Sequence, residues 1–281
     1  MEIISDIEEM QAFSDGRRRQ GQTIALVPTM GFLHAGHSSL MSRARQSGDI
    51  LVVSIFVNPA QFGPGEDFAT YPRNMKNDLS ITGEEGVDIV FTPGDKALYP
   101  EGYETYVSLT NLPEHLCGTF RPAHFRGVAT VVAKLFNIVT PHVAIFGQKD
   151  YQQLAVIRRM VRDLNFGIQI IGAPTVRDPD GLAMSSRNNY LTARERPAAL
   201  SLYRSLMKAA QLVQSGVRDA ARVIHAAAEL IQSYADTKID YVSICDPDTL
   251  DDVKTIDRPS LMALAVRVGK TRLIDNMILK P

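Results

Sequence analysis

The segment Pro28-Thr29-Met30-Gly31-Phe32-Leu33-His34-Ala35-Gly36-His37 sets two imidazoles three residues apart, beside two glycines. On a helix that spacing puts His34 and His37 on one face, where both can donate to one bound group. Gly31 lets the backbone approach a ligand closely, and Gly36 removes a side chain from the first turn of the helix that would follow. Unpaired amides and the positive dipole end of such a turn attract phosphate, so the chemistry read here is anion binding. Taken alone, the pair also fits two surface histidines or half of a metal site.

Holding such a turn requires a strand before it and a helix after it. The apolar run Ile24-Ala25-Leu26-Val27 reads as a buried strand that Pro28 ends, and residues 38–44 read as the helix. Residues 50–57 are almost continuously apolar, which suits a parallel strand covered on both faces, and they end at Asn58-Pro59. Residues 74–85 read as a helix and 87–91 as a strand closed by Thr92-Pro93-Gly94. Residues 125–139 read as a buried helix with Lys134 and Asn137 on another face, followed by a strand at 142–146, a helix at 151–164 and a last strand at 168–171. Strands and helices alternate, which predicts parallel crossover units. Ligands in such a domain bind at the carboxyl ends of strands, where Pro28-Thr29-Met30-Gly31, Asn58-Pro59-Ala60-Gln61 and Gly147-Gln148-Lys149-Asp150 all fall.

The character changes after the turn-rich residues 177–181, read as a linker. Thr192 is read as the cap of a helix reaching about Ser215, and a second helix covers 219–234. Strands follow at 239–244, 261–268 and 271–277, the last two joined by a tight hairpin at Gly269-Lys270. The expected fold class is α/β, with a doubly wound parallel-sheet (Rossmann-like) N-terminal domain at 1–176 and a smaller α+β C-terminal domain at 177–281.

With 281 residues and 45% hydrophobic content, two domains sharing a cleft are expected. A net charge of −1 and a pI near 6.6 provide no global basic field, which argues against nucleic acid as the main partner. Cys117 and Cys245 lie far apart and in no C-x-x-C arrangement, so neither a disulfide framework nor a thiolate metal site is expected, as in a reducing cytoplasm. The start, Met1-Glu2-Ile3-Ile4-Ser5-Asp6, lacks a basic region followed by an apolar core. No apolar run reaches the roughly 18 to 20 residues that span a bilayer, so a soluble, cytoplasmic protein without membrane association is expected. Gly269-Lys270-Thr271 lacks the earlier glycine of a P-loop, whose place Leu264 takes, and neither G-x-S-x-G nor H-E-x-x-H occurs. His115, His124, His142 and His225 have no partner at ligand spacing and are read as structural.

His34-Ala35-Gly36-His37 resembles the HIGH motif of the nucleotidyl-transferring α/β superfamily that includes class I aminoacyl-tRNA synthetases. The longer segment is similar to the version found in the pantoate-beta-alanine ligase family. Further segments match that family in order: Ser54-Ile55-Phe56-Val57-Asn58-Pro59-Ala60-Gln61-Phe62, Tyr71-Pro72-Arg73, His124-Phe125-Arg126-Gly127, Phe146-Gly147-Gln148-Lys149-Asp150-Tyr151-Gln152-Gln153, Asp180-Gly181-Leu182-Ala183-Met184-Ser185-Ser186-Arg187-Asn188 and Arg272-Leu273-Ile274-Asp275-Asn276.

The resemblance implies ATP-dependent condensation of (R)-pantoate with beta-alanine to pantothenate through a pantoyl adenylate, releasing AMP and pyrophosphate. It implies Mg²⁺ arriving with the nucleotide rather than in a protein metal site, and a homodimer through the first domain. The catalytic residues it implies are His37, His34, Lys149 and Arg187. ATP would meet Met30, Gly31, Phe32, Leu33, His34, Ala35, Gly36 and His37, then Gly147, Gln148, Lys149, Asp150 and Val176, and a closing loop of Met184, Ser185, Ser186 and Arg187. That loop resembles the family's counterpart of KMSKS, although alone it reads as a polar linker. Gln61 and Gln153 would grip pantoate, with Gln61 also near the amine. Asn58 and Tyr71 would line the pocket, Arg121 its rim, and Asp78 would contact metal or nucleotide. The family usually has Glu where Gln148 stands, and relatives can carry two acids where this chain has Asn77-Asp78. Two other readings remain at this point: a nucleotidyltransferase of the same superfamily with a stable dinucleotide-type product, and a non-catalytic nucleotide-binding module. Amine-dependent AMP release separates both from the ligase.

Overall fold

A computed structural model describes every residue from Met1 to Pro281. Its contacts group into two units. The first comprises Met1–Leu109, Arg121–Gln148 and Gln153–Pro174, and the second comprises Thr110–Phe120, Lys149–Gln152 and Thr175–Pro281.

The chain begins with β1 (Glu2–Ile4), α1 (Ile7–Arg19), β2 (Ile24–Thr29), α2 (Ala35–Arg45), β3 (Ile50–Ile55), α3 (Met75–Glu84), β4 (Ile89–Phe91) and the single-turn α4 (Asp95–Leu98). It continues with the single-turn α5 (Cys117–Phe120) of the second unit, then α6 (His124–Val139), β5 (Val143–Gly147), α7 (Tyr151–Asp163) and β6 (Gln169–Ala173). The first unit's sheet is six-stranded in the order β1-β4-β3-β2-β5-β6. All its pairings are parallel, as the near-continuous apolar strands predict. Ile24, Leu26, Leu51, Phe91 and Ile145 are fully buried in it. The winding direction reverses between β2 and β5, which makes their carboxyl ends the switch point of the sheet.

Pro28 does not end β2 as expected. It stays in the strand opposite Ser54 of β3. The Thr23 and Thr29 carbonyls accept from the Ile50 and Phe56 amides on the β3 side, while the Ile24 carbonyl accepts from His142 on the β5 side. By that alternation the nitrogen of Pro28 faces β5, whose pairing with β2 stops at Leu26. No ladder bond is lost to the missing N–H.

β1 and α1 have no counterpart in the sequence reading. Asp6 caps α1 by accepting from the Glu9 amide at 2.9 Å, with Glu8 and Glu9 in the first turn and Arg17, Arg18 and Arg19 in the last, all favourable to the helix dipole. α6 matches its expected span and buries Phe125, Val128, Val132, Leu135 and Phe136.

The second unit contains α8 (Arg196–Gln214), α9 (Ala220–Gln232), β7 (Thr237–Cys245), β8 (Ser260–Val268) and β9 (Thr271–Leu279). The strands form an antiparallel sheet in the order β7-β8-β9. Leu202, Leu206 and Val213 of α8, Val223 and Ile231 of α9, and Met262, Leu264 and Val266 of β8 form its core. Gly269 takes φ +55° at the tight turn between β8 and β9, a conformation that favours glycine.

Two sequence readings are corrected here. The linker at 177–181 is a hairpin: Arg177 bridges Ala183, the Asp178 amide donates to the Leu182 carbonyl at 2.8 Å, and Gly181 turns the chain at φ +100°. Thr192 does not cap α8, whose N-cap is Glu195. Thr192 and Glu195 instead bond each other's backbone amides in a capping-box pattern across the turn that leads into α8.

Candidate active site

β2 delivers the chain to a turn whose backbone is bent the way the glycine suggests. Gly31 takes φ +77° and Phe32 φ +53°, two consecutive left-handed residues. Side chains other than glycine adopt that region at a cost, so something must hold Phe32 there. Asp78 does so. Its carboxylate is 1% exposed, and it accepts from the Phe32 amide at 2.9 Å and the Leu33 amide at 2.7 Å. A Cβ on Gly31 would sit 2.9 Å from Asp78 Oδ2 and 3.0 Å from Ile55 Cγ2, so glycine is required there for space as well as conformation.

The Phe32 and Leu33 amides, expected to meet ATP, each donate to Asp78, and Asp78, expected to contact metal or nucleotide, has one backbone amide on each oxygen. Gly31 donates to Thr29 Oγ1 at 3.2 Å, which accounts for another donor of the turn.

The two histidines close the turn into α2. His34 is the N-cap, its Nδ1 accepting from the Gly36 amide at 3.1 Å, while His37 Nδ1 accepts from the His34 amide at 3.3 Å. This is a capping box built from imidazoles in place of serine and glutamate. The rings lie 4.2 Å apart between centroids, tilted by 49°. A ring nitrogen that accepts an N–H carries no proton, so the bonding pattern assigns the hydrogen of each ring to Nε2. The turn therefore places two Nε2–H groups at the switch point. Ala35 and Gly36 form the first turn of α2 beside them.

Gln61 lies beside this turn. Its Nε2 donates to Met30 Sδ at 3.1 Å, and its Oε1 accepts from Asn58 Nδ2 at 3.1 Å. Asn58 is 1% exposed and has no bonding capacity left: Nδ2 also donates to the Gly127 carbonyl at 3.1 Å, and Oδ1 accepts from Tyr99 Oη at 2.8 Å and the Ala60 amide at 3.2 Å. Asn58, expected to line the pocket, thus holds Gln61 in place. Gly127 permits this close approach of α6, since a Cβ there would lie 2.1 Å from the Ala60 carbonyl oxygen.

Arg121, expected at the rim, is likewise engaged inside the first unit. It forks onto Glu66 at 2.7 and 2.6 Å and lies 3.3 Å from the Gln61 carbonyl and 3.1 Å from His124 Nε2. His124 Nδ1 donates to the Gln61 carbonyl at 2.8 Å, which leaves Nε2 to accept from Arg121. Burial pushes the Glu66 carboxyl up, but Arg121 outweighs it and holds it below the usual carboxylate range. Tyr71 is 7% exposed and meets Phe62 edge-on at 5.9 Å. Gly147 closes β5, Gln148 Nε2 lies 3.5 Å from the Gly172 carbonyl, and Gln153 is half-buried in the first turn of α7.

The remaining expected residues belong to the second unit. Lys149 Nζ lies 3.8 Å from Asp150, and its carbonyl accepts from Asn276 Nδ2 at 2.8 Å. The Val176 carbonyl accepts from the Met184 amide at 3.0 Å, leading into Ser185, which caps the turn Ser186–Tyr190 by accepting from the Arg187 amide at 3.3 Å. Ser186 is 7% exposed. The Arg272–Asn276 segment supports this unit: Arg272 pairs with Asp240 at 2.7 Å, Asp275 takes both arms of Arg177 at 2.6 and 2.9 Å, and Asn276 fixes Lys149.

The roles of Asp78, Tyr99, Glu66 and Asn276 as supports carried no local sequence signal. Each acts on a residue tens of positions away. Of the other histidines, His142 Nδ1 accepts from the Ile24 amide at 2.9 Å, and burial followed by the Arg18 charge pushes its pKa down. His115 lies 3.6 Å from Asp251, and exposed His225 lies 3.2 Å from Glu229, one helical turn away.

Comparison with known proteins decides the class. The profile of pantoate-beta-alanine ligase matches residues 2–278. This chain belongs to the pantoate-beta-alanine ligase family. It is 59% identical over 281 residues to a pantothenate synthetase of Desulfatibacillum aliphaticivorans, covering 100% of both chains. It is 54% identical over 279 residues to one of Geobacter sulfurreducens, covering 99% of each. The crystal structure of pantothenate synthetase from Thermus thermophilus matches with a TM-score of 0.95 at 43% identity, covering 100% of both. That of the Francisella tularensis pantoate-beta-alanine ligase, complexed with beta-gamma ATP and beta-alanine, matches with a TM-score of 0.80 at 33% identity, covering 99% of this chain and 97% of that one. As a member of this ligase family the chain is an enzyme, and the Rossmann-like parallel sheet with a small antiparallel-sheet domain is the family's architecture.

Proposed function

We propose that the chain condenses (R)-pantoate with beta-alanine at the expense of ATP, through a pantoyl adenylate, and releases AMP and pyrophosphate. The observation that carries this reading is the contact between the histidine turn and Gln61 through Met30: a group suited to an acid adjoins imidazole donors suited to phosphate. The beta-gamma ATP and beta-alanine with which the Francisella relative is complexed support the same substrates.

The pantoate carboxylate attacks the α-phosphate, pyrophosphate leaves, and the free amine of beta-alanine then attacks the acyl carbonyl to expel AMP. The protein's contribution is alignment and donors aimed at developing charge, in which we place His34, His37, Lys149, Ser185, Ser186 and Arg187. Gln61 and Gln153 hold the acid. Mg²⁺ arrives with the nucleotide and is held by its phosphates. We place the enzyme in the cytoplasm on the strength of its two free, buried cysteines.

Purified protein with ATP, Mg²⁺, pantoate and beta-alanine should form AMP and pantothenate in equal amounts, and omission of any organic substrate should abolish pantothenate. ADP as product, or a stable adenylylated compound formed without regard to the amine, would contradict the reading.

A further inference from the structure

A glutamine can present its amide in either of two senses, offering a ligand an acceptor or a donor. At Gln61 the sense follows from groups that cannot rotate. The Ala60 amide can only donate, so the Asn58 atom it meets at 3.2 Å is the oxygen. The Gly127 carbonyl can only accept, so the Asn58 atom 3.1 Å from it is the nitrogen. The second N–H of that nitrogen reaches Gln61 at 3.1 Å and so takes Oε1, leaving the NH₂ group as what Gln61 offers beside Met30.

One further group completes this chain. Tyr99 Oη donates to Asn58 Oδ1 at 2.8 Å, shorter than the other bonds of the set. The Tyr99 ring is fixed by its neighbours: Tyr103 meets it edge-on at 5.1 Å, Phe56 lies at 6.4 Å, and the Lys134 ammonium lies 5.7 Å from its centroid. The hydroxyl direction is therefore preset before any ligand arrives. Burial, followed by the neighbouring Tyr103 and Tyr106, pushes its pKa upward, so the phenol remains a donor at working pH.

We propose that Tyr99 is a positioning residue for the acid substrate: its hydroxyl reinforces, through Asn58, the amide sense that the Ala60 amide and Gly127 carbonyl set, and so holds Gln61 with NH₂ toward the ligand, so that this part of the pocket selects an oxygen with lone pairs, such as a hydroxyl or carboxylate. The inference rests on the reading of Gln61 as an acid-binding residue. It adds a selectivity element that touches no substrate. A ligand placing a donor at this point meets a donor and is rejected.

The test uses initial rates of the full-length enzyme. Tyr99→Phe removes one oxygen from a ring whose packing is unchanged, and it should raise the pantoate KM about three- to tenfold, the scale of one hydrogen bond, while the ATP KM stays within about twofold. Tyr103→Phe, in the same aromatic stack but without a bond to Asn58, is the control and should leave the pantoate KM unchanged. In a Gln61→Ala background the Tyr99→Phe change should have no further effect on pantoate, because its route has been removed. An unchanged pantoate KM in Tyr99→Phe, equal losses for pantoate and ATP, or an undiminished effect in the Gln61→Ala background overturns the inference. Gln61→Ala with normal pantoate KM overturns the acid-pocket reading itself, and the inference with it.

Discussion

His37 supports the turn with one ring nitrogen, and the donor role proposed for the other gives its loss two separable consequences. His37→Ala should lower turnover about a hundredfold or more, the scale of losing a transition-state donor. The lost cap should destabilise the start of α2 by about 1 kcal/mol, with circular dichroism retained. Near-normal turnover in a folded variant would contradict the donor role. Asp78→Ala takes this acceptor from the half-buried Phe32 amide and the buried Leu33 amide. Such groups cost about 1–3 kcal/mol each, so the thermal midpoint should drop by several degrees and the ATP KM should rise. An unchanged melting curve would show that the carboxylate does not hold the turn. At this scale the nearness of the two rings was legible from their spacing, although His34 caps α2 rather than lying within it. What they lean on was not, since Asp78 stands 46 positions from Phe32 and nothing local in Asn77-Asp78 announces which backbone it meets.

The strands of the parallel sheet were legible from runs such as 50–57, because burial on both faces leaves an apolar record in the sequence. Pro28 was misread because a local rule about proline does not know which side of the strand lacks a neighbour. The hairpin at Arg177–Ala183 was misread because polar turn residues look alike whether they link domains or pair with each other. α1 carries a readable signal, Asp6 three residues before Glu9. The seam between β2 and β5 also bears a titrating group. His142 has a folded-state pKa below the ordinary value of about 6.5. Its contribution is therefore full above that value and declines as acidification approaches the folded pKa. Urea midpoints should fall from pH 7 towards pH 5, and His142→Asn, which has no ring to titrate, should show a shallower fall over that window. Equal slopes would remove His142 from the acid response.

At the scale of the whole molecule, composition bounded the class: a net charge of −1 disfavoured nucleic acid, and ordered motifs from Pro28 to Asn276 pointed to one ligase family. The site's inner supports emerged only in three dimensions, as Tyr99, Asn58 and Gln61 show. We propose a homodimer through the first unit, suggested by the family resemblance and by the apolar content of β3 and α6. Light scattering at micromolar concentration should give twice the chain mass of 31.0 kDa, and the single-chain mass would contradict it. The central claim is that the acid is activated on the α-phosphate, and an isotope decides it most directly. Pantoate labelled with ¹⁸O in its carboxylate, turned over with ATP, Mg²⁺ and beta-alanine, should transfer one labelled oxygen to AMP. Label appearing in inorganic phosphate, with ADP as product, would mean attack on the γ-phosphate and would contradict the roles given to His34, His37, Lys149 and Arg187.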